Sequence, residues 1–345
     1  ASPLDDALLQ IRRSRKTKAT KSPLSMRIDK FDLILDRGGT NEPYYAGQSV
    51  LGQIEVHAAR RVRVGSLHVR LSGVVETGWR NKSSDLVYES RQVVLDEFVD
   101  LTMVIVDHCN DSFRLHEGQH SIPFEIKLPL DVLSSVEREQ HGSIRYMCTA
   151  VLDLPDNGGT QLVAEKEFRV FSLLNLDAPH LRDPACTTEE EDVSTCCGLR
   201  KRYLNASMRI AETGLLPGET TRISLSIENK KKRKGRLRRK EKHECVLISL
   251  CQQIDFVSSA RFDPLLVDRK TFTVAVESHG TCKGKECNGP ETKEVEFCIP
   301  EGLPPTSVQA DGLITVSYFF KLDLERFDVI VPVVIGSLKT PGSFQ

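Results

Sequence analysis

The sequence predicts an all-β protein, built as two tandem antiparallel, immunoglobulin-like β-sandwiches. Three observations carry this expectation. Apolar and polar residues alternate with period two over several stretches, as strands with one buried face require. Segments of helical period are scarce, the best being the short stretch from Leu4 to Ile11. The chain also echoes itself at a fixed interval, the mark of a duplicated unit.

The alternation is clearest in three places. Leu67, Val69 and Leu71 stand against His68, Arg70 and Ser72, and Ile144, Tyr146, Cys148, Ala150 and Leu152 stand against Arg145 and Thr149. Late in the chain, Ile314, Val316, Tyr318, Phe320, Leu322 and Leu324 alternate with Thr315, Ser317, Lys321, Asp323 and Glu325. Turn signals recur at short intervals between such stretches, which favours stacked sheets over one long barrel.

The echo sets the domain count. Gly47-Gln48-Ser49 leading to Ile54 and Val56 matches Gly218-Glu219-Thr220 leading to Leu225 and Ile227, 171 residues on. Ser135, Tyr146, Cys148 and Leu152 match Ser307, Tyr318, Phe320 and Leu324 at an interval of 172. Two related sandwiches are therefore expected over 26–175 and 204–340. The linker expected over 176–203 carries Pro179, Pro184 and the acidic stretch Glu189 to Asp192. Residues 1–25 are basic, bear Ser, Thr and Pro, and have no sustained period, so they read as a mobile arm. A chain of 345 residues also exceeds what one ordinary core fills.

Composition narrows the function class. The 47 basic and 48 acidic side chains nearly cancel, so only local clusters can steer a charged partner. No apolar run of about 18 residues is present, and the N-terminus carries Arg12, Arg13, Arg15, Lys16, Lys18 and Lys21 in place of an apolar signal region. A cytoplasmic protein is expected, its ten cysteines reduced and mostly buried. No G-x-S-x-G, H-E-x-x-H or phosphate-binding Gly loop occurs, and the nine histidines have no companion carboxylate at a diagnostic spacing. No catalytic residue, cofactor or metal is assigned, and an enzyme is not expected.

An ordered series of segments carries a family resemblance. Tyr45-Ala46-Gly47-Gln48-Ser49-Val50-Leu51-Gly52-Gln53-Ile54 comes first, then Gly118 to Phe124, Leu128-Pro129, Ser135 and Gly142 to Tyr146. Cys196-Cys197, Pro217-Gly218-Glu219 and Glu228-Asn229 follow, with Ile299-Pro300, Pro304-Pro305, Tyr318 and Pro332 to Gly336 at the end. Taken in order over residues 26–338, these resemble the alpha-arrestin, or arrestin-domain-containing, family. The resemblance implies the arrestin fold and a non-enzymatic scaffold that grips membrane-protein cargo. It further implies coupling to a HECT-type ubiquitin ligase, endocytosis or endosomal sorting, with recruitment to the plasma membrane or endosomes. Family members usually recruit the ligase through PPxY motifs in a C-terminal tail. No PPxY occurs in these residues: Pro304-Pro305-Thr306-Ser307 lacks the Tyr, and Glu42-Pro43-Tyr44-Tyr45 lacks the second Pro. A retromer-like coat subunit, which shares the fold, stands as an alternative.

The sharpest local feature is the run formed by Lys230, Lys231, Lys232, Arg233, Lys234, Arg236, Arg238, Arg239, Lys240 and Lys242, broken by Gly235, Leu237 and Glu241. One reading is a clamp for phosphoinositide head groups or phosphorylated cargo tails, each cation near an anionic membrane contributing about 1 kcal/mol. The other is a solvated loop or a nuclear localisation signal read by an importin. No aromatic interrupts the run to stack bases, so nucleic acid is not an expected partner.

Cysteines raise two further questions. His279, Cys282, Cys287 and Cys298 offer donors for zinc, but lack the paired C-x2-C knuckles that structural zinc sites use. Ser278-His279-Gly280-Thr281-Cys282 resembles the stretch of thioredoxin-binding family members whose Cys forms a mixed disulfide with thioredoxin, and Lys283 and Lys285 would favour its thiolate. The neighbouring Trp of those members is missing. Neutralising Lys231, Arg233, Arg236 and Arg239 together is expected to abolish salt-sensitive binding to phosphoinositide liposomes in a sedimentation assay. Unchanged binding contradicts the lipid-clamp reading.

Overall fold

The computed structural model describes residues 28–37, 42–108, 113–138, 140–155, 159–194, 201–231, 245–282, 291–309, 311–324 and 327–340. The arm, most of the basic run, and Cys196, Cys197 and Cys287 lie outside them. Of the basic run, Lys230 and Lys231 are the backbone end of strand Thr220–Lys231.

The protein is all-β. In the first half, a three-stranded sheet orders Ile28–Leu35, Ser49–Ala58 and Gly118–Lys127. Its companions are Thr160–Phe168, Gly142–Leu154, Leu67–Arg80 and Val87–Asp100, hydrogen-bonded in that order. In the second half, a four-stranded sheet orders Ala185–Ser194, Lys201–Ile210, Thr220–Lys231 and Glu291–Cys298. Its companions are Asp263–Cys282, Cys245–Ala260, Ile314–Leu324 and Phe327–Ile335.

The predicted alternation is the burial pattern. Leu67, Val69, Leu71, Tyr146, Cys148, Ala150, Leu152, Phe320 and Leu322 are all fully buried, while the residues between them face outward. Burying such side chains is the main driving force, at about 1.5–3 kcal/mol each for the larger ones. Burial also pushes the Cys148 thiol up to about 12, so it is inert. Cys251 is buried too, whereas Cys186 and Cys298 are exposed.

The internal echo is structural. Gly47 and Gly218 both adopt positive φ, 75° and 82°, which only glycine takes without strain. Each turns the chain into a strand: Gly47 N–H donates to the Pro129 carbonyl at 3.1 Å and Gly218 N–H to the Ile299 carbonyl at 2.8 Å. Tyr146 and Tyr318 likewise share a role, donating their buried hydroxyls to the carbonyls of Leu133 and Pro304 at 2.7 and 2.8 Å. Burial raises both phenols well above the ordinary tyrosine value. Ser135 and Ser307 repeat a third device, each Oγ accepting from a backbone N–H, of Val170 and Val316, at 2.9 Å.

Two elements differ from the expectation. Thr102–His108 is a helix in which Ile105 is fully buried, although its β-branched run has strand propensity. Asp100 turns the chain into it by accepting from the Thr102 N–H and hydroxyl, which holds its carboxyl below the usual range. The acidic stretch within the predicted linker pairs as an edge strand, Glu189 opposite Ala206 and Asp192 opposite Tyr203. Charged side chains suit a solvent-facing edge because they oppose pairing with another chain.

The segment leaving the first half is stitched to the last strand of the second. Ser337 accepts from Leu174 N–H at 2.7 Å, and Leu176 N–H donates to the Leu338 carbonyl at 2.8 Å. Asp177 accepts from the Thr340 N–H and hydroxyl and from Arg182, which keeps its carboxyl far below the usual range. Beside this stitch a Cβ on Gly336 would stand 2.4 Å from the fully buried Leu176 side chain. Gly336→Ala should therefore cost about 1–3 kcal/mol by overpacking, read as a lower denaturation midpoint at an unchanged denaturant slope. An unaltered midpoint contradicts the stitch.

Candidate functional site beside the interdomain seam

Strands Val87–Asp100 and Cys245–Ala260 meet at a single bridge, Tyr88 opposite Ala260, which joins the sheets of the two halves. Side chains reinforce the seam on both sides of that bridge. The buried Thr77 hydroxyl donates to the Val257 carbonyl at 2.8 Å, and Ser259 N–H donates to Ser90 Oγ at 3.0 Å. Arg261 N–H donates to the Val87 carbonyl at 3.0 Å while its guanidinium lies 3.1 Å from Glu89.

Trp79, the only tryptophan, is the central aromatic of the seam. Its ring stacks on Tyr88 with centroids 6.3 Å apart, and its Nε1–H donates to Asp268 Oδ2 at 2.9 Å. Chiefly through that bond, the Asp268 carboxyl is held below the usual carboxylate range. His141 bridges the same group, 5.6 Å from the Phe256 ring and 6.3 Å from Trp79. Arg138 reaches across the seam to lie over the Phe272 ring at 4.5 Å. Such a contact contributes about 0.5–2 kcal/mol, depending on desolvation.

Beside this seam the first half opens a cleft of about 620 Å³, lined among others by Glu76, Glu89, Arg91, Arg138, His141 and Arg145. The elements that frame it are the ends of strands Leu67–Arg80 and Val87–Asp100 and the start of Gly142–Leu154. Its charges are arranged in pairs, Arg91 with Glu76 at 3.2 Å and Arg145 with Glu137 and Glu167. Guanidinium groups in a polar cleft suit noncovalent capture of carboxylate- or phosphate-bearing peptide, since each presents a planar fork of donors. The groups that converge are ion-pairing and ring-stacking ones, the chemistry of binding.

The residues singled out in the sequence lie elsewhere. Lys230 and Lys231 stand opposite Tyr203 and Arg202 at one end of the four-stranded sheet, and Lys232, Arg233, Lys234, Arg236, Arg238, Arg239, Lys240 and Lys242 lie outside the described residues. Cys282 ends its strand opposite Cys245, and its side chain is outside the description. His279 packs against Phe297 at 4.6 Å, and Cys298 lies on strand Glu291–Cys298. Among the described residues no three His, Cys, Asp or Glu side chains are grouped to hold a metal, and no helix is long and apolar enough to cross a membrane. Nothing in the sequence pattern signalled Asp268, Arg138 or Phe272.

The comparisons with known proteins agree with the two-part architecture. Residues 31–177 match the family model described as "Arrestin (or S-antigen), N-terminal domain", and residues 200–340 match "Arrestin (or S-antigen), C-terminal domain". Arrestin domain-containing protein 17 of Caenorhabditis elegans is 24% identical over 322 residues, 91% of this chain and 71% of that protein. Arrestin domain-containing protein 4 of Mus musculus is 26% identical over 195 residues, 54% of this chain and 46% of its own length. Thioredoxin-interacting protein of Sus scrofa is 23% identical over 210 residues, 59% of this chain and 51% of its own length. The match thus spans about half of the mouse and pig relatives.

The seam makes a prediction about pH. Asp268 gains its indole donor only on folding, so the stability it contributes is present above its unfolded pKa of about 3.9 and is lost as pH falls through the lower folded value. Trp79 emission in the native chain should titrate with a midpoint below about 3.9, and Asp268→Asn should remove that titration. A titration that survives Asp268→Asn contradicts the assignment.

Proposed function

The chain belongs to the arrestin-domain family, and on that premise we propose that it is a non-enzymatic adaptor. It binds membrane-protein cargo and couples it to ubiquitination, endocytosis or endosomal sorting. The observation that carries this reading is the seam: two sandwiches are hydrogen-bonded into one sheet, and a polar cleft of the first opens beside the join. A rigid cleft preserves binding free energy that a flexible one would lose in ordering. We place the two working units at 26–175 and 204–340, with 176–203 between them.

In this reading Arg138 and Arg91 contact acidic or phosphorylated cargo tails in the cleft, and the run from Lys230 to Lys242 meets an anionic membrane or a second phosphorylated segment. The protein acts from the cytoplasm at the plasma membrane or endosomes. A HECT-type ligase is its effector in this reading, although no PPxY motif occurs in these residues. A retromer-like coat role predicts the same cleft with sorting subunits as neighbours in place of a ligase.

A redox reading is favoured by one finding, that relatives from pig and rat are named thioredoxin-interacting protein. Here Cys282 would be the thiol that meets thioredoxin. Trapping with a thioredoxin that lacks its resolving cysteine separates the two readings, since an adduct lost in Cys282→Ser supports the redox role.

Proximity labelling in cells tests the adaptor role. Native protein is expected to label membrane proteins together with a HECT-type ligase. Arg138→Ala combined with Arg91→Ala should lower the membrane-protein signal about ten-fold, equivalent to about 1.4 kcal/mol, with unchanged protein abundance. Labelling confined to thioredoxin, or untouched by the double substitution, contradicts the cleft as the cargo site.

A further inference from the structure

Among the described residues, the two most exposed large apolar side chains are Phe262, at 91%, and Leu265, at 92%. They sit together at the tip of the hairpin that joins strands Cys245–Ala260 and Asp263–Cys282. The tip is built to project them. Ala260 pairs with Asp263 across a two-residue turn of Arg261 and Phe262, but Ser259 pairs with Val267. Pro264, Leu265 and Leu266 are therefore extra residues on one side, a bulge that pushes outward. Asp263 Oδ1 accepts from Leu265 N–H at 3.0 Å and fixes the bulge. The tip is pinned to the first half at its neck by the Tyr88–Ala260 bridge and by Arg261.

We propose that this tip is a membrane-insertion element, with Phe262 and Leu265 entering the headgroup–acyl boundary of a bilayer. The geometry selects a lipid surface over a peptide. Side chains with more than nine-tenths of their surface exposed have no protein wall beside them, so a bound peptide would find no groove to line. A bilayer needs no shaped wall and buries any convex apolar tip. Leu266 and Val267, 42% and 48% exposed, extend the apolar surface along the same strand. Arg269 and Lys270 follow on the same strand, Lys270 3.7 Å from Asp268, and Lys82 lies in the turn whose Asn81 reaches Asp268, so cations stand near the tip. One such tip gives marginal, reversible attachment, because stable anchoring takes two signals. The run from Lys230 precedes the same strand at its other end, some fifteen residue steps or roughly 50 Å from the tip.

The inference rests on the adaptor reading only in placing the protein at membranes. The probe is vesicles of phosphatidylcholine and phosphatidylserine in which the phosphatidylcholine carries brominated acyl chains. In about 1 M salt, where charges are screened beyond about 3 Å, Phe262→Trp should be blue-shifted and quenched on binding. The native Trp79, packed in the seam, serves as the unquenched reference. Phe262→Asp with Leu265→Asp should lower the partition coefficient at least ten-fold at that salt, and both sites are exposed enough to leave folding intact. Unquenched Phe262→Trp emission, or undiminished partitioning of the double variant, overturns the proposal. If the double variant loses a soluble cargo peptide instead of vesicles, the tip is a peptide site and the proposal falls. Vesicle binding through the tip by a chain that labels no cargo in cells would leave this inference standing while sinking the adaptor role.

Discussion

The arrangement depends on one narrow seam in which strand Val87–Asp100 of the first sandwich bonds to strand Cys245–Ala260 of the second through Tyr88 and Ala260. A single backbone bridge contributes little net free energy, about 1 kcal/mol per hydrogen bond. Its weight comes from the side chains that close around it. Trp79 on Asp268, Thr77 on Val257 and Arg261 on Glu89 join the same two hairpins, and Arg138 on Phe272 adds a fourth contact from the neighbouring strand. Contacts that share partners are coupled, so the seam opens or holds as a unit.

That constraint explains why function collects where it does. Each sandwich alone is a two-layered core with polar outer faces, and nothing in the repeated devices, the glycine turns or the buried tyrosines, makes a site. Docking the halves sets Phe256 against His141 and Phe272 over Arg138, two of the residues that line a cleft of the first half. The same docking fixes the neck of the Phe262–Leu265 tip, so the most exposed apolar residues ride on a rigid mount. A second tie, between Asp177 and Thr340, anchors the connector to the segment that follows the final strand.

Much of the fold was legible because its signals are local. Period-two alternation marks Leu67 to Leu71 and Ile314 to Leu324 without reference to anything distant, and glycine at positions 47 and 218 is dictated by backbone sterics. The acidic edge strand from Glu189 to Asp192 was hidden because an edge needs backbone partners more than apolar side chains. The helix at Thr102 was hidden because Val104, Ile105 and Val106 favour strands, and burial of Ile105 overrode that preference. The seam was the least legible part. Trp79 and Asp268 are 189 residues apart, and Arg138 meets Phe272 only because the halves dock, which no periodicity encodes. The basic run, by contrast, was conspicuous in sequence as a block of charge, and only Lys230 and Lys231 of it fall within the described backbone.

If the seam is what makes two sandwiches one binding body, they should unfold together. Differential scanning calorimetry of the native chain measures this most directly. The account predicts one transition whose calorimetric enthalpy equals its van't Hoff enthalpy, splitting into two when Trp79→Ala and Arg138→Ala are combined. Two resolved transitions in the native chain would contradict it.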